Sequence, residues 1–384
     1  MTASIFRMAL QKQRGLVMPL VAISMTSLIA MAGLVMDLGH LYLNKTRLQN
    51  AADAAALSAA QTLDVTHNIL LANAAGNHTF NNAINQELVD ANLMPIFTYS
   101  EKIKPFIDTA QHPVFVRVVV SGFSQKNFLL PIIGINTLLA SATAVAGPSL
   151  GLNKVCNAVP LVACGDSALN NFGFELDTVY SLKTGTDING NWGVTNGAYQ
   201  NIQLDCGTSD DCIRKQVAGQ YAQCLAIGDT INTVPPDHFS ANSDGINTRL
   251  DCPAGSCGAL KGNTDYPADK VTSYPYTMTK YQDDYTTQNF SGTGIQYKEL
   301  RRIIVMPVVD CSTITNGSGN LSILGLGCFF VTEPAGNDAA GQQTIYAQYL
   351  ENCLARGKVG INPILTSGPH TIILYRDFTG NLDS

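Results

Sequence analysis

From Leu16 to Met36 the chain runs LVMPLVAISMTSLIAMAGLVM without a charge. A helix rises about 1.5 Å per residue, and about 20 apolar residues cross a hydrocarbon core, so this run predicts a membrane span. Polar positions then return while helix formers continue. DLGHLYLNKTRLQNAADAAALSAAQTL holds no Pro, and Leu48, Ala52, Ala55 and Ala59 recur at three- and four-residue steps. One helix is therefore expected from Leu16 to about Leu63. A second is expected over residues 69–92, with Leu70, Ala74, Phe80, Ile84 and Leu88 as apolar markers.

Further on, the pattern changes from helical to β. Phe97 and Tyr99 begin a strand, and Val114–Val120 (VFVRVVV) is the clearest strand by β-branching. Phe128–Ile133 and Leu138–Val145 continue the apolar series. Beyond Gly147-Pro148 the composition turns to Asn, Gly, Asp, Thr and Cys. There Asp211–Ala226 and Thr344–Arg356 read as helices. Arg301–Val309, Cys328–Val331, Ile361–Leu365 and Thr371–Tyr375 read as strands. The expected class is α+β: a long N-terminal anchor helix, a pilin-like helix-plus-strands unit, and a disulfide-rich mixed α/β region. The expected division is a leader at 1–15, an anchor at 16–38 within an N-terminal region 16–148, and a cysteine-rich domain at 149–384.

Charge gives the orientation. Arg7, Lys12 and Arg14 precede the span, and no acid occurs before Asp37; basic residues stay on the cytoplasmic side. The net charge of -6 argues against nucleic acid, whose phosphates call for a basic stripe. All ten cysteines lie beyond residue 155: Cys156, Cys164, Cys206, Cys212, Cys224, Cys252, Cys257, Cys311, Cys328 and Cys353. An even set confined to one region indicates disulfides made in an oxidising compartment. Short separations favour Cys156 with Cys164, Cys206 with Cys212, and Cys252 with Cys257, although sequence alone leaves connectivity open. Two processing alternatives stand beside an intact anchor. Ala30-Met31-Ala32 has the form of a signal-peptidase site. The short basic leader ending at Gly15 resembles prepilin leaders, although Leu20 stands where mature pilins carry Glu.

Ala22, Thr26, Ala30, Gly33 and Asp37 share one helical face, whose small residues would let a sister or partner helix approach. Asp37-Leu38-Gly39, then Leu41-Tyr42, then Arg47-Leu48-Gln49-Asn50-Ala51-Ala52-Asp53-Ala54-Ala55-Ala56-Leu57 resembles the N-terminal signature of TadG-like proteins, in the TadE/TadG group of the tight-adherence (Flp) pilus system. The likeness covers residues 1 to about 148. Val155–Pro160 and Gly245–Leu250 are weakly similar to longer members. The resemblance implies a non-enzymatic, pseudopilin-like assembly protein in a bacterial inner membrane. Its N-terminus would be cytoplasmic, its bulk periplasmic, and its partners pilus assembly components. The motif positions carried over are Asp37, Gly39, Tyr42, Leu48, Gln49, Asp53 and Leu57. Gln49 and Asp53 lie one turn apart and can hydrogen-bond. Asp37 sits where the helix leaves the bilayer, and an acid at that depth calls for a partner.

Candidate chemistry is thin. Asp310-Cys311-Ser312-Thr313-Ile314 follows a strand like the D-x-S-x-S metal motif of von Willebrand A domains, but Ile314 offers no oxygen to a hard cation. Asp187-Ile188-Asn189-Gly190-Asn191 starts like a calcium loop and continues with Trp192 and Ala198 where Gly and Glu belong. His238, Cys252 and Cys257 are irregularly spaced for zinc. No G-x-S-x-G, phosphate loop or H-E-x-x-H string occurs. The expectation is no enzyme, no metal and no cofactor. The alternatives are an exported adhesin-like binding protein with a cleaved leader, or a metal-binding A-like domain protein.

Overall fold

Helix α1 (Val17–Thr66) runs unbroken through 50 residues in the computed structural model, about 75 Å at the ordinary rise. The structure describes residues 17–376 except 85, 185–197, 235–238, 253–256, 258–259, 270–274, 288–297, 299, 314–318, 338–342 and 359–366. The two halves of α1 have different surroundings. Up to Met36 nearly every side chain is exposed, whereas from Leu48 onward one face is covered. That face is made of Leu48, Ala51, Ala52, Ala55, Ala56, Ala59, Ala60 and Leu63.

This alanine face packs against α2 (Ile69–Ala83) and an antiparallel sheet formed by β1 (Ile96–Ser100), β2 (Phe115–Lys126), β3 (Thr137–Pro148) and the strand Ile372–Tyr375. Val116, Val118 and Val120 alternate toward the helix, as the period of a half-buried strand requires. Small side chains set the close approach. A Cβ on Gly76 would lie 2.4 Å from the Phe97 ring and 3.1 Å from Ala59 Cβ. Asn68 starts α2 by accepting from Leu70 N and Leu71 N at 2.9 and 3.2 Å, the usual relief of orphan helix donors.

The expected helix over 69–92 is broken. Ile84 is extended (φ -85°, ψ 150°), and only a short α3 (Gln86–Asp90) follows. The apolar marker Leu70 faces out, and the buried positions are Ala72, Gly76 and Phe80. Phe128–Ile133 is no strand. It is the β2–β3 connection, with a 3-10 turn at Leu130–Ile133. Pro131 cannot donate to a ladder, and Gly134 (φ 89°) ends the turn.

Beyond Pro148 the strand pairings close a circuit. Leu161–Cys164 pairs with Ala198–Ile202, that with Val179–Thr184, and that with Gln343–Leu350. The circuit continues through Gly319–Val331 and Ile303–Val309 back to Leu161–Cys164. Residues of these strands enter two buried clusters, one holding Val305, Val309 and Phe330, the other Ile304, Met306, Val308 and Phe329. That two-sided burial explains the unbroken apolar run of residues 303–309.

Two helix assignments fail in this region. The helix at Asp210–Lys215 continues only as a π-turn to Gln220, because Gly219 adopts φ 131°, and Leu225–Ala226 is a strand. Thr344–Arg356 forms strands Gln343–Leu350 and Asn352–Leu354. Thr344–Tyr349 mixes strand formers (Thr344, Ile345, Tyr346, Tyr349) with Ala347 and Gln348 and is paired on both edges, so tertiary pairing decides a segment of ambiguous period.

Five disulfides join Cys156–Cys224, Cys164–Cys311, Cys206–Cys212, Cys252–Cys257 and Cys328–Cys353. The local closure of Cys156 with Cys164 is not formed. Val155 pairs with Leu225 across a short ladder, which sets Cys156 beside Cys224. Cys164 pairs with Val309 in the parallel ladder, which sets it near Cys311.

The last described strand crosses the division at residue 148. Ile372 pairs with Pro148 and Tyr375 with Val145, adding an edge to the N-terminal sheet. Just before it, His370 Nε2 bonds the Asp64 carboxylate near the end of α1 at 3.0 Å.

Candidate functional site at the apolar end of the first helix

The backbone of the β2–β3 loop turns three N–H groups onto one carboxylate. Phe128 N donates to Asp37 Oδ1 at 3.0 Å, and Leu129 N and Leu130 N donate to Oδ2 at 3.0 and 2.9 Å. The start of a 3-10 turn leaves its first donors without local acceptors, and successive N–H groups form a concavity for an anion. Gln125 Nε2 donates to the Asp37 carbonyl at 3.3 Å, and Asn44 Nδ2 donates to Gln125 Oε1 at 3.2 Å. Asp37, Asn44 and Gln125 are all buried. The loop needs a close seat: a Cβ on Gly33 would lie 2.5 Å from Leu129 Cβ. Gly33 and Asp37, read as part of a face for another helix, are thus covered by a loop of the same chain.

Higher on α1, Gln49 Nε2 donates at 2.8 Å both to Asp53 Oδ1 and to Thr143 O of β3. Burial raises the Asp53 carboxyl above its ordinary pKa, and the Gln49 bond pulls it back. Leu48 is buried in the alanine face, and Leu57 packs at its edge. The motif residues therefore divide by direction. Asp37, Leu48, Gln49 and Asp53 turn inward and fix the sheet on the helix. Leu38 and Gly39 are exposed, as is Tyr42, 74% accessible. A Cβ on Gly39 would meet no atom within 4 Å, so Gly39 serves no close packing among the described residues.

The part of α1 below Gly33 presents Met18, Leu20, Ile23, Leu28 and Met31 outward. Among the described residues, α1 is the one helix long and apolar enough to cross a membrane. A soluble core helix would bury such a surface. Gly15 lies outside the described residues, as do Asp187–Asn191, His238 and Ile314.

Asp310 Oδ1 accepts from Ser312 N at 2.9 Å and closes a local turn. No group of three or more His, Cys, Asp or Glu is set to hold a metal among the described residues. A cavity of about 610 Å³ between α1 and the cysteine-rich region is lined by Arg249, Lys298, Arg301 and Arg356, and among the described residues no carboxylate, histidine or thiol lines it. Arg249 Nε and Nη1 donate to the carbonyls of Val217 and Arg301, and Arg301 donates to those of Pro267 and Ala218. A second cavity of about 560 Å³ holds His370, Asp64 and Ser149. His370 is tied to Asp64, and Ser149 Oγ donates to Leu150 O at 2.8 Å, so no Ser–His couple forms. Burial opposes charge on His370, but the hydrogen bond and attraction of Asp64, with Gly368, outweigh it and raise its pKa.

Residues 15–62 match the family model Tad, described as "Putative Flp pilus-assembly TadE/G-like". No curated protein and no solved structure matches the chain. The matched stretch contains Gly33, Asp37, Gln49 and Asp53, and it is through this segment of α1 that the chain carries the TadE/G-like signature of Flp pilus assembly.

Proposed function

We propose that this chain is a single-pass, non-enzymatic assembly protein of the Flp pilus system. Residues 1–15 lie in the cytoplasm, 16–38 anchor the chain in the inner membrane, and the bulk stands in the periplasm. The match over residues 15–62 carries the reading. Three observations support it. The exposed apolar surface of α1 needs lipid or other apolar helices around it. Five disulfides belong to an oxidising compartment. A long helix laid on an antiparallel sheet is compatible with a pilin-like unit.

Within this reading the inward motif residues hold the sheet to the helix. The outward ones, Leu38, Gly39 and Tyr42, offer a strip at the end of the span for a partner helix. The cysteine-rich region of residues 149–384 extends the contact surface away from the membrane.

The test uses a photoreactive amino acid at Tyr42 in living cells. Crosslinks to Flp pilus assembly proteins are expected, and the same group at exposed Leu169 should give a different set. Release of the full-length chain by alkaline carbonate would overturn the anchor. A native mass lacking residues 1–32 would favour an exported binding protein instead.

A further inference from the structure

We infer that the β2–β3 loop, residues 127–136, is a second membrane-contacting element that enters the outer leaflet beside α1. The inference deepens the anchor reading and rests on α1 crossing the bilayer.

The helix sets the depth of the loop. Leu129 is seated on Gly33, and Gly33 lies about 4.5 Å of helix rise inside Met36, the last residue of the apolar run. Where α1 spans, the loop stands beside it at the boundary of the hydrocarbon. Its sequence suits that place: Phe128–Ile135 reads FLLPIIGI, with no charge. Phe128, at 77% accessible, Pro131 and Ile135 are exposed. Leu139, 75% accessible, adds apolar surface on the outer face of β3. Lys126 and Asn136, exposed at the neck, are placed for the headgroups.

Irregular backbone enters lipid only when its polar groups find partners within the protein. Asn127 N donates to Asn136 O, Gly134 N to Pro131 O and Ile135 N to Leu130 O. Pro131 has no N–H. At the start of the 3-10 turn the N–H groups of Phe128, Leu129 and Leu130 all donate to Asp37. In water these donors would need no carboxylate. In an apolar layer they do, and the acid is held where the apolar surface would otherwise end. Asp37 is thereby hidden, and the chain meets the outer leaflet with a helix and a loop in place of a single rod. Two contacts resist rotation of the sheet about α1 in a way that one helix cannot.

The experiment uses the full chain in phosphatidylcholine–phosphatidylglycerol vesicles, with its single tryptophan removed by Trp192→Phe. Phe128→Trp, Leu28→Trp and Leu169→Trp are each introduced at exposed positions. Emission is read with lipids brominated near the headgroup end or at the middle of the acyl chains, and with aqueous acrylamide. The Phe128→Trp emission is expected to shift to the blue and to lose most of its intensity with the shallow bromines. Leu28→Trp should respond to bromolipid, and Leu169→Trp only to acrylamide. If Leu28→Trp is quenched by bromolipid while Phe128→Trp responds to acrylamide, the loop is in water and the inference is wrong, with the anchor intact. If Phe128→Trp responds to neither, a protein surface covers the loop, which also overturns lipid contact. If Leu28→Trp escapes bromolipid, the anchor reading fails and the inference falls with it.

Discussion

Leu130 donates its backbone N–H to Asp37 Oδ2 across 2.9 Å and 93 positions of sequence. The bond ties the tip of a hairpin to the point where α1 changes from an exposed apolar rod to a packed helix. Asp37→Asn keeps the size but faces the loop with an amide that offers only one acceptor oxygen, and Asp37→Ala offers none. A buried donor left without a partner is costly. Both variants should unfold at lower temperature in detergent than the parent, Ala by more than Asn, and both should be cut faster by protease within residues 127–136.

Gly33 and Gly39 sit in the same helix and should respond oppositely to alanine. Gly39→Ala meets open space and should stabilise the helix by about 0.5–1 kcal/mol through propensity. Gly33→Ala drives a methyl into Leu129 and should lower the unfolding midpoint and expose the loop. If Gly39→Ala leaves stability intact while reducing crosslinks from Tyr42, the outward strip is a partner surface.

The pair of His370 and Asp64 predicts a pH dependence. The His370 pKa is raised in the folded chain, so its stabilisation is fully present below the unfolded value of about 6.5 and is lost as pH climbs through the folded value. Denaturant midpoints should fall on that alkaline side, and His370→Gln should flatten this part of the profile. At acid pH the same variant should cost about 1.5–3 kcal/mol, the range for a hydrogen bond to a charged group. The expected structural effect is loosening of the strand Ile372–Tyr375 from β3, read by amide exchange.

The disulfides should not contribute equally. Cys164–Cys311 spans a sequence separation of 147 and Cys206–Cys212 one of 6. Loop-closure entropy assigns about 5 kcal/mol to the first and about 2 kcal/mol to the second. Replacing both cysteines of each pair with Ala should lower denaturant stability in that order. Equal losses would mean that the unfolded chain is already compact around residues 164–311.

The amino-acid sequence by itself determined the features that rest on local physics. An uncharged run of span length, helix formers without Pro and a β-branched stretch are legible because each residue acts on its own neighbours. They specified α1 and β2. The alanine stripe named the face of α1 to be buried. Tertiary structure alone decided what covers that face and the helix below it. The partner of Asp37 is three backbone N–H groups, which every residue but proline carries, so no side chain at 128–130 advertises the bond; the apolar, Pro- and Gly-containing loop was the only trace. Which cysteines met depended on which strands became neighbours, and that set Cys156 against Cys224. Thr344–Arg356 could read as helix until two strands paired with its edges. Local preference fixes an element only where it is strong; where it is weak, the free energy of long-range pairing and burial makes the choice.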